Sequence, residues 1–152
     1  MLIVALMSMM LMTALGSALV LMTLTEVTIA ANYKDATEAF YAAEAAVEWA
    51  LQDLEGVSDW DGLTTSMPYT DAPLDDMLPP GAAPSRMHVI VWVARPVETE
   101  DDPYAGLDVL VVLGHAYGTG GSHRAVEVTV AREAALATAS NPIRVLYWRE
   151  VT

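Results

Sequence analysis

The hydrophobic and polar positions divide the chain into an apolar first part and a mixed remainder. No charged side chain occurs before Glu26, and residues 1–25 are mainly Leu, Met, Val, Ile and Ala. In a helix that rises about 1.5 Å per residue, roughly 20 residues cross the ~30 Å hydrocarbon layer of a bilayer. The run therefore predicts a helix of membrane-spanning length. Its small or hydroxylated residues include Ala5, Ser8, Thr13, Ala14, Gly16, Ser17 and Ala18.

The pattern in residues 26–55 continues the helix, because this stretch has no Pro or Gly and is rich in Ala and Glu. Its apolar residues recur at helical spacing on one stripe, which is typical of an amphipathic helix that packs on a domain. The stripe consists of Phe40, Ala43, Val47, Leu51 and Leu54. We predict that Phe40, Val47, Leu51 and Leu54 contact a sheet, and that Gly56 ends the helix.

The second part, residues 56–152, is predicted as a globular β domain. Residues 56–85 are rich in Asp, Pro, Gly, Thr and Ser and predict a long loop. Four β-rich runs follow: Met87–Arg95, Leu107–Tyr117, His123–Arg132 and Ile143–Glu150. The glycine-rich stretch 118–122 predicts a hairpin between the second and third runs. An antiparallel sheet of about four strands, covered by the long N-terminal helix, gives the α+β class.

Charge and composition exclude several kinds of function. Lys and Arg total 7 against 20 Asp and Glu, a net charge of -13, which is unsuited to binding nucleic acid through its phosphates. Cysteine is absent, so thiolate catalysis, disulfides and cysteine-ligated zinc are excluded. No serine has a nucleophile-elbow context, and the glycine-rich stretch does not open a helix as phosphate-binding loops do. We therefore expect no catalysis, no cofactor and no small-molecule substrate.

Two sets of polar residues could hold a metal ion. His88, His115 and His123 are scattered among the predicted strands, where packed or surface histidines are commoner than a metal set. Acidic loops could offer oxygen ligands to calcium. They contain Asp59, Asp61, Asp71, Asp75, Asp76, Glu98, Glu100, Asp101 and Asp102. Because these acids lack the spacing of an EF-hand, we expect solvated loops and no bound metal.

Three stretches in the first 50 residues carry a resemblance to a known family. They are the uncharged run with Leu15-Gly16, then Ala31-Asn32-Tyr33-Lys34-Asp35, then Ala39-Phe40-Tyr41-Ala42-Ala43-Glu44-Ala45-Ala46. Together they resemble the N-terminal region of type IV pilin-like proteins of the PilX-type minor pilin group. The Gly118-Thr119-Gly120-Gly121 turn before an alternating strand is also similar to the C-terminal half of such proteins.

The resemblance implies a structural subunit of an extracellular type IV pilus-like filament. Such a protein is cut by a prepilin peptidase, N-methylated at its new first residue, here Met1, and held in the inner membrane before assembly. It then packs helix to helix with copies of itself and with other pilins. Residues 1–25, with the small residues named above, would form the membrane segment and later the filament core. Glu26, Lys34 and Glu44 would contact neighbouring subunits, unless the two acids are simply an interfacial acid and a solvated flank.

One position departs from the family pattern. Pilins usually carry a glutamate near the start of the mature chain that neutralises a neighbour's N-terminal ammonium, whereas this sequence has Ala5 there. The absent basic leader is expected if Met1 begins the mature product.

Two other interpretations stand beside the filament subunit. A secretory signal peptide would show a basic start and a break after its apolar core. A single-span inner-membrane protein with an extracytoplasmic binding domain would show a linker and a basic cytoplasmic flank. Neither set of features occurs, so the filament subunit is favoured.

Overall fold

The computed structural model describes residues 1–57, 59–60, 62–63, 67–82, 84–96, 107–133 and 143–151. Its main elements are one long helix and five strands: α1 (Leu2–Glu55), β1 (Thr70–Pro73), β2 (His88–Ala94), β3 (Leu107–Tyr117), β4 (His123–Glu133) and β5 (Arg144–Val151). The chain divides into two compact units, Met1–Lys34 (unit 1) and Asp35–Thr152 (unit 2). The predicted α+β class, with a long N-terminal helix and an antiparallel sheet, is confirmed.

The sheet has the simplest antiparallel order, β1-β2-β3-β4-β5, in which each strand pairs with its neighbour along the chain. The β3 and β4 strands form the predicted hairpin, with Tyr117 opposite His123 and Val112 opposite Val128. The turn between them closes through the Gly118 amide, which donates to the Ser122 carbonyl at 2.8 Å. Gly120 and Gly121 have φ of 83° and 82°, a conformation that favours glycine.

The strand count and the loop prediction for residues 56–85 need correction. The sheet has five strands instead of about four, because β1 lies inside the stretch that was expected to be a loop throughout. A short 3-10 turn, Leu74–Asp76, follows it. Pro73 ends this strand at the edge of the sheet, a position where a missing backbone donor is tolerated. Four residues ending in proline carry too little periodicity to be recognised as a strand.

The core of unit 2 lies between α1 and one face of the sheet. Alternate residues of three strands supply the sheet side, as expected for half-buried strands. They are Val89, Val91 and Val93 in β2, Leu110 and Val112 in β3, and Val126, Val128 and Val130 in β4. The helix contributes mostly small residues: Ala39, Ala42, Ala43, Ala46, Val47, Ala50 and Leu54. A helix with an alanine stripe can approach the sheet closely, and the glycine in β3 opposite it, Gly114, leaves room for that approach.

The four helix residues predicted to contact the sheet divide into two pairs. Val47 and Leu54 are 2% and 0% exposed and lie in the core. Phe40 and Leu51 are only partly buried and pack against the core from its margin. The small residues occupy the centre of the interface, so the bulkier Phe40 and Leu51 lie on its flank.

A polar network closes the core where α1 ends. Arg132 donates to the Asp108 carboxylate through Nε at 3.1 Å and to the Val57 carbonyl through Nη1 at 2.8 Å. Its guanidinium lies 4.2 Å from the centroid of a ring of Trp60, which is fully buried. The Trp60 indole N–H in turn donates to the Leu54 carbonyl at 3.4 Å. One arginine therefore joins two strands to the end of the helix.

Candidate functional site

Residues 2–29 of unit 1 form an apolar helical segment whose large side chains are all exposed. Every large apolar side chain from Leu2 to Ile29 is between 58% and 79% exposed. The most apolar window of α1 has a mean hydropathy of 2.1, and none of it is buried. By length and composition, this helix can cross a membrane. The side chains that elsewhere form a protein core are here all on the outside.

The hydroxyl groups of unit 1 are bonded to its own helix. All six Ser and Thr side chains donate to a carbonyl three or four residues earlier, at 2.8 to 3.0 Å: Ser8, Thr13, Ser17, Thr23, Thr25 and Thr28. Each hydroxyl proton is thus satisfied without a partner outside the helix. These six Ser and Thr side chains therefore do not create a polar surface that requires water.

The residues predicted for a filament core are all exposed and lie around the helix instead of on one face. Ala5 and Gly16, eleven residues or about three turns apart, share one side. Ala14 and Ala18, four residues apart, share another side. A Cβ added at Gly16 would meet nothing within 4 Å. Close approach by other helices is therefore sterically open on more than one side of unit 1.

The residues predicted to contact neighbouring subunits lie in different units. Glu26 and Lys34 belong to unit 1 and are exposed, as is Met1. Glu44 lies in unit 2 and is half-buried on α1, one turn from Phe40. No geometric relation joins these positions into one site.

Comparison with known proteins assigns the first third of the chain. Residues 1–48 match the family model described as PilX N-terminal. This segment is similar to a PilX-type N-terminal region. The predicted resemblance to a type IV pilin-like minor pilin of the PilX type is confirmed through this segment. No curated protein and no solved structure matches the chain significantly.

The PilX-type region contains all of unit 1 and continues into the buried part of α1. It indicates a pilin related to the type IV pilus, and the apolar helix fits membrane anchoring and a location in the pilus. Proteins with this region are typically structural components and not enzymes.

The sheet face opposite α1 carries a cluster that the sequence analysis missed. His115 Nδ1 and His123 Nε2 are 3.0 Å apart, and the rings of His123 and Tyr117 stack with centroids 4.7 Å apart. Burial, together with the nearby His123, lowers the pKa of His115 below its ordinary value of 6.5. The hairpin could have revealed this cluster, because a turn at residues 118–122 places Tyr117 opposite His123 in the neighbouring strand.

The other polar residues considered as metal ligands make ordinary contacts. His88 Nε2 and Asp71 Oδ1 are in hydrogen-bond contact at 2.5 Å across neighbouring strands, and Asp75 accepts a hydrogen bond from the Ser85 amide at 2.6 Å. Within the described ranges, no group of three or more His, Asp or Glu side chains could hold a metal ion. Asp61 and residues 98–102 lie outside the described residues.

The β5 strand combines exposed aromatic and basic side chains. Val145, Tyr147 and Trp148 are 54%, 49% and 44% exposed. Trp148 meets Phe40 of α1 edge to face, with ring centroids 6.0 Å apart, so one side of this patch is anchored to the helix. Arg149 pairs with Glu127 of the neighbouring strand at 2.9 Å. Aromatic residues and arginine are the types enriched at protein interfaces.

Proposed function

We propose that this protein is a structural subunit of an extracellular type IV pilus-like filament, assembled by packing of its N-terminal helices. The observation that carries the proposal is unit 1, a helix with a PilX-type match whose large apolar side chains from Leu2 to Ile29 are all exposed in the described part of the chain. Apolar surface is unfavourable in water by roughly 25 cal/mol per Å². A segment of this length therefore needs either lipid or other apolar helices around it.

The two environments correspond to two stages. Before assembly the helix lies in the inner membrane, and afterwards it lies among the same segments of other subunits, either copies of this chain or other pilins. The internal bonds of its hydroxyl groups support both stages, because these hydroxyl protons need no partner outside the helix in either. Small residues at Ala14, Gly16, Ser17 and Ala18 allow the close helix approach that association of apolar helices requires.

The N-terminal amine needs a different partner from the one that pilins usually provide. With Ala5 in place of an acid, we expect the amine of Met1 to be bound by free carbonyls or by the hydroxyl oxygens of Ser8 and Thr13, or to lie at a hydrated lumen or a filament tip. The hydroxyl protons are used within the helix, whereas their oxygen lone pairs can still accept. We propose that Met1 is the processed and N-methylated residue.

Replacement of Gly16 by leucine tests the filament proposal. Inside one subunit an added Cβ at residue 16 has open space, and leucine favours a helix over glycine, so Gly16→Leu should not harm the folded subunit. Between packed helices the added side chain prevents close approach. We expect the number of filaments in sheared cell-surface material, counted by electron microscopy, to fall about tenfold or more, which corresponds to about 1.4 kcal/mol per contact. Leu19→Met, which keeps an apolar side chain of similar volume, is the matched control.

Two results would contradict the proposal. One is wild-type protein that is found only in the membrane and never in filaments from the same cells, which would favour the single-span membrane protein. The other is a Gly16→Leu variant that assembles like the wild type. Intact-mass measurement on the same filaments tests Met1, since an uncleaved basic leader on assembled protein would exclude the expected methylated start.

A further inference from the structure

The sheet of unit 2 ends in two strands that have a partner on one side only. The β1 and β5 strands lie at opposite ends of the strand order, and no described strand pairs with the outer side of either. Free sheet edges are surfaces at which another chain can dock. The two edges differ in chemistry, and this difference is the basis of the inference, which rests on the filament function proposed above.

The β5 edge is aromatic and basic. Four of the seven basic residues of the chain lie in β4 and β5: Arg124, Arg132, Arg144 and Arg149. Arg132 belongs to the ion pair with Asp108 that closes the core. Arg124 and Arg149 pair with acids of the same two strands. Arg144 is exposed and makes no ion pair with the part of the chain that the structure describes. Beside it, Val145 and Tyr147 are about half exposed. This edge therefore has an uncompensated positive charge next to apolar surface.

The β1 edge is acidic and apolar. Residues 67–85 include Asp71, Asp75 and Asp76 and have no Lys or Arg. Asp76 is exposed and, within the described residues, has no ion pair. Met67, just before the strand, is 73% exposed. Methionine is an adaptable contact for aromatic rings. The β1 edge thus offers negative charge that no ion pair in the described chain compensates at Asp76, with a flexible apolar side chain nearby.

A second copy of this chain is complementary in charge to both edges, because it carries the opposite edge of each. With a net charge of -13, copies of the protein repel each other in general, so a contact between them needs a place where positive meets negative charge. Contact between two β5 edges would place arginines together, and contact between two β1 edges would place aspartates together. Only β5 against β1 is complementary. Because the two surfaces differ, each copy keeps a free edge after binding, and such a head-to-tail contact continues as an open series.

We propose that the β5 edge of one subunit, with Arg144 and Val145, docks on the β1 edge of the next subunit, with Met67 and Asp76. This contact joins the globular domains of neighbouring subunits around the filament, in addition to the packing of their N-terminal helices.

Engineered cysteines test the contact directly, because the natural chain has none. The full-length Val145→Cys/Asp76→Cys double variant, treated in filaments with a short thiol-specific crosslinker, should give a ladder of dimers, trimers and higher species. A mixture of Val145→Cys chains with Asp76→Cys chains should stop at dimers. Each single variant alone should give none. A dimer from either single variant would show a like-edge contact and overturn the proposal, as would filaments that give no ladder from the double variant.

Charge reversal gives a second, independent test. Arg144→Asp and Asp76→Arg should each reduce filament yield about tenfold or more, because each places like charges at the contact. The double reversal should restore it. Arg86→Asp makes the same charge change beside the β1 edge, since Ser85 and Met87 bond to Asp75 and Leu74. It adds negative charge to the surface that faces Arg144, so it should not reduce the yield and is the matched control. Equal losses in Arg86→Asp and Arg144→Asp, or no rescue in the double variant, would refute the contact.

The outcomes separate this inference from the filament proposal. A crosslinked ladder in membranes without any filament would support the edge contact and contradict the filament function. Filaments that are sensitive to Gly16→Leu but unaffected by reversal at Arg144 would support the filament and contradict the edge contact.

Discussion

Gly114 in β3 lies directly against Val47 of α1. A Cβ added to Gly114 would be 2.6 Å from Val47 Cγ2 and 3.0 Å from the Ala43 carbonyl oxygen. Neither distance is compatible with normal van der Waals contact, and the second involves backbone that cannot rotate away. The helix and the central strand therefore approach each other as closely as they do because residue 114 has no side chain.

Replacement of Gly114 by alanine should destabilise unit 2. Although alanine suits a strand better than glycine, the added methyl forces Val47 or the helix backbone to move, and overpacking of this kind costs about 1–3 kcal/mol. Denaturant unfolding of the full chain in detergent measures the loss. Val47→Ala should relieve most of it in the double variant, whereas Gly62→Ala, where the added Cβ meets nothing within 4 Å, should be nearly neutral. Additive losses in the double variant would contradict the direct contact.

Truncation of two leucines in α1 should separate the centre of the core from its margin. Leu54 is fully buried, so Leu54→Ala should cost about 2–5 kcal/mol through lost burial and a cavity. Leu51 is only partly buried, and the loss in Leu51→Ala should be clearly smaller. The same unfolding measurement compares the two. Equal losses would mean that the helix is rotated relative to its described position.

The sequence predicts the elements of this fold better than the details of their packing. Strong periodicity in the Val-rich runs and the glycine turn allowed the hairpin of β3 and β4 to be predicted. Of the alanine stripe at the centre of the interface only Ala43 was recognised, because alanine has little hydrophobic weight and Phe40 and Leu51 dominate the pattern. The alanines of α1 allow close packing only because Gly114 of β3 lies opposite them. A local sequence pattern does not show that small residues so far apart in the chain pack together.

The ion pair that closes the core should be costly to break. Arg132 and Asp108 are only 13% and 15% exposed, so Asp108→Ala leaves a poorly solvated arginine without its counter-charge. We expect a loss of about 3 kcal/mol in unfolding free energy. Glu127→Ala removes a similar contact from Arg149, whose side chain is 52% exposed, and should cost clearly less. If Asp108→Ala loses no more unfolding free energy than Glu127→Ala, water reaches Arg132 and the expectation is wrong.

Acidification should destabilise unit 2 through His115. Its pKa in the folded protein is lowered, first by burial and then by His123, so the folded state resists a proton that the unfolded chain accepts. The neutral side chain therefore contributes stability above pH 6.5, and this contribution decreases as the pH falls below that value. His123 and Tyr117 face it on the same surface.

Melting temperatures at pH 7.5 and pH 5.5 test this expectation. His115→Val should show a smaller decrease on acidification than the wild type. His88→Gln, which changes the histidine paired with Asp71, is the control for general histidine effects. An unchanged decrease in His115→Val would assign the acid sensitivity to another group.

The candidate site, like the fold, has some features that the sequence predicts and others that it does not. Unit 1 could be predicted because an uncharged run of this length is a strong signal by itself. The contact of His115 with His123 and the opposite chemistry of the two sheet edges could not, because both depend on which strand lies where. Arg144 and Asp76 are 68 positions apart in the printed sequence, and only the strand order places them at opposite ends of one surface.

The sequential strand order also determines how unit 2 can form. Each strand pairs with the one synthesised just before it, so no segment has to wait for a distant partner and each step closes only a short loop. The sheet can grow from β1 towards β5 as the chain emerges, with α1 already available as the surface on which it condenses. A domain of this design can therefore fold vectorially, in the order in which its residues are delivered.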